Sequence, residues 1–213
     1  MTPGARPSPE LVTLDDATRH LVRLAAVIAA GTETSVRDAL VHGSSGVPAS
    51  WIEELILQSY LFAGFPRALN AMREWRRIAP DPDPSTLLES RVQVAEWIVR
   101  GEETCRRVYG TMYDRLRVNI RSLHPLLDDW MIVEGYGKVL SRPGLDLARR
   151  ELCIIAACAA SRQDRQLHSH LRGALNVRVA PEVITDAIDA LDAVIDSEAA
   201  SAARLLWARV RGK

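Results

Sequence analysis

A chain of 213 residues is long enough for one large domain or two small ones, and an apolar fraction of 47% supplies a core. Its 27 basic and 27 acidic residues cancel, which argues against nucleic acid or an anionic membrane as the main partner. No run of about eighteen apolar residues occurs, so no bilayer span is expected, and three cysteines (Cys105, Cys153, Cys158) are too few for a disulfide framework and read as reduced core thiols of a cytoplasmic protein.

Residues 1–14 carry no apolar signal stretch and read as a disordered tail. Alternating β-branched runs are scarce while Ala, Leu, Arg and Glu dominate, so the fold class is all-α. The first helix spans 15–30, with Gly31 as its stop. A second runs from about Thr34 to His42. Pro48 suits the first turn of a third, Ala49 to Ala63, and Gly64-Phe65-Pro66 bends the chain into a fourth ending near Ala79. Three prolines within 80–84 make a short stiff linker. Helices follow over 85–100, ending at Gly101, over 102–122 with a break at Gly110, and from His124 to about Lys138. Ser141-Arg142-Pro143-Gly144 is a turn. Two helices then fill Leu147 to Val177, joined by a tight turn whose Ser161-x-x-Asp164 pattern resembles a helix-opening cap. The last two run from Pro181 to Ile195 and from Ser197 to Arg211.

The stretch from Leu147 to Val177 carries the candidate chemistry. Glu151 lies about nine residues before the turn and His170 about seven after it, so at roughly 1.5 Å per residue both stand at a similar height in an antiparallel hairpin. Glu151 shares a face with Ile154, Ile155 and Cys158, which points it inward. A buried acid level with a buried histidine is a candidate proton-transfer pair. The competing reading is a first-turn glutamate facing the helix dipole and a core histidine with its hydrogen bonds met.

Two halves share a plan. Arg19–Gly31 lines up with Arg149–Ser161, Arg37–Leu40 with Arg172–Leu175, Pro48 with Pro181 and Trp75 with Trp207. The expected organisation is a first degenerate repeat over 15–79, the linker 80–84, and a second repeat over 85–213 that carries the Glu/His hairpin.

The strings R-R-E-L at Arg149–Leu152 and H-L-R-G-A-L-N at His170–Asn176, with S-R-P-G-L-D-L-A-R-R-E-L from Ser141, resemble the carboxymuconolactone decarboxylase family, part of the alkyl hydroperoxidase-D-like (AhpD-like) superfamily. The likeness covers roughly 18–78 and 100–211 and implies an AhpD-like helical fold in two degenerate repeats. Glu151 and His170 fall on the family's acid and histidine. Gln163 and Gln166 stand where its C-x-x-C has cysteines, and glutamine supplies neither a thiolate nor a resolving sulfur. The decarboxylase branch, which lacks those cysteines and keeps the histidine, is the nearer likeness. In the first half the acid position is Leu21 and the histidine position is near Ser35.

The likeness implies a decarboxylase, or another enzyme of small organic acids or lactones, that needs no metal and no organic cofactor. A non-catalytic helical binding or assembly protein is the alternative, and a thiol peroxidase using Cys153 or Cys158 a third. Because single-repeat members assemble into rings, a fused pair implies a homotrimer or homodimer.

Arg149, Arg150, Arg165 and Arg172 cluster around the hairpin. They read as a solvated face or as a clamp for a carboxylate. Arg150 and Arg165, with Gln163 and Gln166, are the candidate substrate contacts. His168 and His170, about 200° apart on a helix, cannot share one metal ion. Trp97, Tyr109, Tyr113, Trp130 and Tyr136 read as core, or as the wall of an apolar pocket beside Glu151. A helix-turn-helix reading of the first sixty residues fails on charge, four arginines against seven acids.

Overall fold

The computed structural model describes residues 10–87 and 94–212. Side-chain caps set the helix starts. The Asp15 carboxylate accepts from Thr18 N–H at 2.7 Å and opens α1 (Asp16–Ala30), and Thr32 opens α2 (Glu33–Gly43) the same way. α3 (Ala49–Ala63) and α4 (Phe65–Arg76) follow, with Gly64 between them at φ 82°. α4 ends three residues before Ala79 because Arg77 and Ile78 already bond i→i+3.

The Pro-rich segment is strapped to α3. Glu53, buried on that helix, accepts from the Asp83 backbone at 3.1 Å, the Thr86 hydroxyl at 2.8 Å and Arg76 at 2.7 Å. A 3-10 turn spans Pro84–Leu87; part of the helix expected over 85–100 lies at 88–93, outside the described residues. α5 (Val94–Tyr109) runs straight through Gly101. That glycine is a crossing point, not a stop: a Cβ there would sit 2.2 Å from the Ile132 carbonyl, and one on Gly137 would sit 2.0 Å from that of Trp97.

A 3-10 turn at Gly110–Met112 leads into α6 (Tyr113–Leu123) and α7 (Pro125–Trp130). The chain then widens into a π-helical stretch, Met131–Leu140, whose end is marked by an i→i+5 bond from Ser141 N–H to the Tyr136 carbonyl at 3.0 Å. α8 (Leu147–Ala160), α9 (Asp164–Asn176), α10 (Pro181–Asp189) with a 3-10 turn over Ala190–Ala193, and α11 (Ser197–Arg211) complete the chain. Among the described residues the fold is all-α, and the strand-like feature is an isolated parallel bridge between Leu11 and Val179. That bridge, with Leu14 buried, holds residues 10–14 on the body and corrects, for those residues, the expectation of a disordered tail over 1–14; residues 1–9 lie outside the described set.

α8 is the axis of the molecule. Twelve of its fourteen residues are buried, and it packs against α1, α3, α9, α10 and α11. One hydrophobic cluster runs from Leu21, Leu24 and Ile28 through Ile52 and Leu55 to Leu152, Ile155, Leu171 and Ile184. No helix among the described residues is long and apolar enough to cross a membrane.

Candidate functional site: a buried acid–histidine pair

Asp146 caps α8 by accepting from Arg149 N–H at 2.9 Å, which places Glu151 five residues beyond the cap. Ser161 closes α8 instead of opening α9: its hydroxyl donates to the Ala157 carbonyl at 2.7 Å. Arg162 turns the chain at φ 56°, and Gln163, with no side-chain capping bond, starts α9. The turn is therefore not the Ser161-x-x-Asp164 cap expected from sequence. It nonetheless folds α9 back so that His170 Nδ1 and Glu151 Oε2 are 2.9 Å apart, both side chains buried.

The surroundings are apolar and aromatic. The Phe62 ring meets the His170 ring edge-on at 5.7 Å, and Tyr109 meets Tyr136 edge-on at 6.2 Å. Gly173, one turn past His170, makes room for the carboxylate: a Cβ there would stand 2.6 Å from Glu151 Oε2 and 2.8 Å from Val108 Cγ1. Among the described residues the second carboxylate oxygen, Oε1, is buried without a hydrogen-bond partner. Burial, reinforced by the Glu151 charge, pushes the Tyr109 hydroxyl and the Cys158 thiol up to about 12 and the Tyr136 hydroxyl well above its ordinary value. A negative carboxylate in a dry setting disfavours every further negative charge nearby.

A cavity of about 480 Å³ opens on the other side of Val108 and Tyr109, between the end of α5, α6, α9 and α11. Its apolar wall includes Leu116, Leu175 and Val210; Arg115, His168, Ser169 and Arg172 supply polar groups. Neither Glu151 nor His170 lines it.

Residues 129–209, which include the whole hairpin, match the model of the Carboxymuconolactone decarboxylase family. This segment of the chain is similar to that family. A relative 29% identical over 153 residues, 71% of either chain, is Peroxisomal protein 2 of Schizosaccharomyces pombe (strain 972 / ATCC 24843).

The other sequence candidates disperse. Arg150 does not join the pair and cannot serve as the expected clamp. Its guanidinium is fully buried and donates to Leu145 O at 2.9 Å, Gln58 Oε1 at 3.1 Å, Glu54 Oε2 at 2.7 Å and Arg142 O at 3.1 Å. One helical position turns it about 100° from Glu151, toward α3. Arg165, Gln163 and Gln166 are exposed at the start of α9, with Gln166 one turn before His170. Arg149 is held by Asp146, Asp15 and Thr18 and lies over the Trp51 ring. Of the five aromatics singled out, Tyr109 and Tyr136 come to the pair. Trp97 lies under Lys138, Tyr113 stacks with Arg106, and Trp130 is exposed.

Sequence reasoning missed Phe62 and Gly173. Phe62 left no signal, because an aromatic at the end of an apolar helix is ordinary core. Gly173 did leave one, a lone glycine inside a helical pattern, which marks close approach.

Counting from the helix caps gives the first half a different register from the sequence alignment. Counted from the caps Asp15 and Asp146, His20 stands where Glu151 stands; counted from Thr32 and Gln163, Ala39 stands where His170 stands. These are one residue from Leu21 and four from Ser35. His20 also packs against a glycine of its hairpin partner: a Cβ on Gly43 would meet its ring at 1.8 Å.

Proposed function

We propose that this chain is a cofactor-independent enzyme of small organic acids or lactones, a carboxy-lyase in which Glu151 and His170 handle the proton. The observation that carries the reading is the buried 2.9 Å contact between Glu151 Oε2 and His170 Nδ1. An ionised Glu151 accepts from Nδ1–H, which fixes the ring and leaves Nε2 as the basic nitrogen. In decarboxylation the bond to the carboxylate carbon breaks, carbon dioxide leaves, and the electron pair remains on the substrate carbon, delocalised into an adjacent carbonyl. Protonated His170 then delivers a proton from Nε2 to that carbon and regains one from water, while Glu151 stabilises the imidazolium. Gln166 and Gln163, exposed one and two turns before His170, are the groups at the start of α9 suited to contact a substrate arriving from the helix start.

The test is carbon dioxide release from a panel of carboxylated lactones and β-keto acids. His170→Gln abolishes turnover while the melting temperature stays within a few degrees of wild type, and Glu151→Gln slows it by about 10²–10⁴, the usual span of a proton-transfer group. Full activity in His170→Gln sinks the proposal.

A second reading, a helical binding or assembly protein, draws support from the separation between the pair and the 480 Å³ cavity. A thiol peroxidase gains no such support: Gln163 and Gln166 replace the dithiol, and burial pushes the Cys105, Cys153 and Cys158 thiols up to about 12. Three further expectations belong to the proposal. The shared cap registers, and the indole N–H of Trp75 donating to Glu53 on α3 as that of Trp207 donates to Thr185 on α10, support an internal repeat. Val118, Leu123 and Trp130, exposed on α6 and α7, support a homo-oligomer. Three free buried thiols suit a reducing compartment, the cytoplasm or, from the relative's name, a peroxisome.

A further inference from the structure

We infer that the cavity between α5, α6, α9 and α11 binds a small organic monocarboxylate, its charge held by Arg115 and Arg172 and its apolar body laid against Leu116, Leu175 and Val108. Three observations meet there. The volume, about 480 Å³, lies in the range of small-molecule sites. Among the described residues the lining holds two arginines and His168 and no aspartate or glutamate, although the chain as a whole is electrically neutral. Among the described residues, Arg115 and Arg172 are not ion-paired, whereas Arg117 two residues on is locked to Asp128 and Arg106 sits 4.0 Å from Asp114. Unpaired guanidinium beside an apolar wall is the complement of a carboxylate with a hydrocarbon body, because the planar fork takes both oxygens and the wall takes the rest.

The placement ties the cavity to the pair. Val108 and Tyr109 line the cavity. The same Val108 side chain reaches within 2.8 Å of the point where a Gly173 Cβ would stand, which is itself 2.6 Å from Glu151 Oε2. Ser169, on the cavity side of α9, is the residue before His170. One layer of side chains, with Tyr109 as its largest member, thus separates the proposed ligand from the acid–histidine pair. A role for the ligand as substrate rests on the decarboxylase reading; its binding does not.

The probe is benzoate, with benzamide as its neutral counterpart and inorganic phosphate as an anion without an apolar body. Binding to the full chain is measured by isothermal titration and by saturation-transfer NMR. Benzoate binds, and benzamide and phosphate bind at least tenfold more weakly. Arg115→Ala and Arg172→Ala each weaken benzoate about tenfold or more, the loss of one charge-assisted contact. Both side chains are exposed, so the variants keep the wild-type melting temperature. Arg165→Ala, exposed on the same helix outside the cavity, leaves affinity unchanged. His170→Gln also leaves benzoate affinity unchanged, so loss of turnover in that variant with binding intact keeps the two proposals apart. Benzamide or phosphate matching benzoate, full affinity in both cavity arginine variants, or loss of benzoate binding in His170→Gln overturns the assignment.

Discussion

Gly173 governs how near α9 can come to Glu151. In an exposed helix, replacing glycine by alanine gains about 0.5–1 kcal/mol of stability. Here the added methyl meets a buried carboxylate oxygen at 2.6 Å and Val108 at 2.8 Å, and overpacking of that kind costs about 1–3 kcal/mol. The clash wins, so Gly173→Ala lowers the urea midpoint and, by pushing the carboxylate aside, shifts the His170 ring resonances in an NMR spectrum. An unchanged midpoint with unchanged ring resonances shows that the contact is loose. The meeting of Glu151 and His170 was legible in the sequence because it is local: two helices, a short turn and a constant rise set the heights of both side chains. The ring of groups around the pair was legible only in part. Tyr109 and Tyr136 stood out as aromatics, but Phe62 arrives from α3, and nothing within its own helix says which partner that helix meets.

Among elements, the join between α3 and α8 shows what spacing cannot reveal. Arg150 was a reasonable substrate clamp by its position beside Glu151, yet its partners Glu54 and Gln58 lie 96 and 92 residues earlier, on α3. Glu54 also receives Arg142 at 2.8 Å, so one carboxylate holds two arginines where α3, α8 and the Ser141–Gly144 turn meet. Removing one partner of a buried pair leaves an uncompensated charge and costs about 3–5 kcal/mol. Because Arg142 remains, Arg150→Ala falls at the lower end, about 3 kcal/mol, in chemical denaturation. Arg150→Met, which fills the space without the charge, leaves the remaining Arg142–Glu54 pair matched and loses less. Equal losses would mean that the charge and its hydrogen bonds, not volume, hold the join. Other elements were misread for similar reasons. Gly101 looks like a stop until its crossing with Gly137 is seen. The π-helical turns of Met131–Leu140 keep Ile132, Tyr136, Val139 and Leu140 buried, a pattern that an ordinary α-helix satisfies equally well.

At the scale of the molecule, α1 and α8 lie against each other, and each half completes the other's core. A sequence-level division at the Pro-rich segment therefore need not be a division in unfolding. The segment itself is tied to Glu53, and Arg23 of α1 donates to the Ala190 carbonyl beyond α10 at 3.0 Å. Scanning calorimetry should give one transition, with calorimetric and van't Hoff enthalpies equal, where independent repeats would give two. The same scans carry a pH signature from the first half. Burial, with Arg23 nearby, holds the His20 ring below its ordinary value of 6.5, and among the described residues its Nε2 is buried without a partner. The unfolded chain thus takes up this proton first. Stability from the neutral ring is complete above about pH 6.5, declines as the pH falls below it, and is fully lost once the pH passes the lower folded value. His20→Leu, apolar and of similar bulk, should flatten that part of the profile while keeping a single transition. If α1 and α8 form one cooperative unit, relieving His20 in the first half raises the temperature at which the Glu151–His170 hairpin in the second half melts. A hairpin that melts independently of that change would show the two halves to be separate in energy despite their shared core.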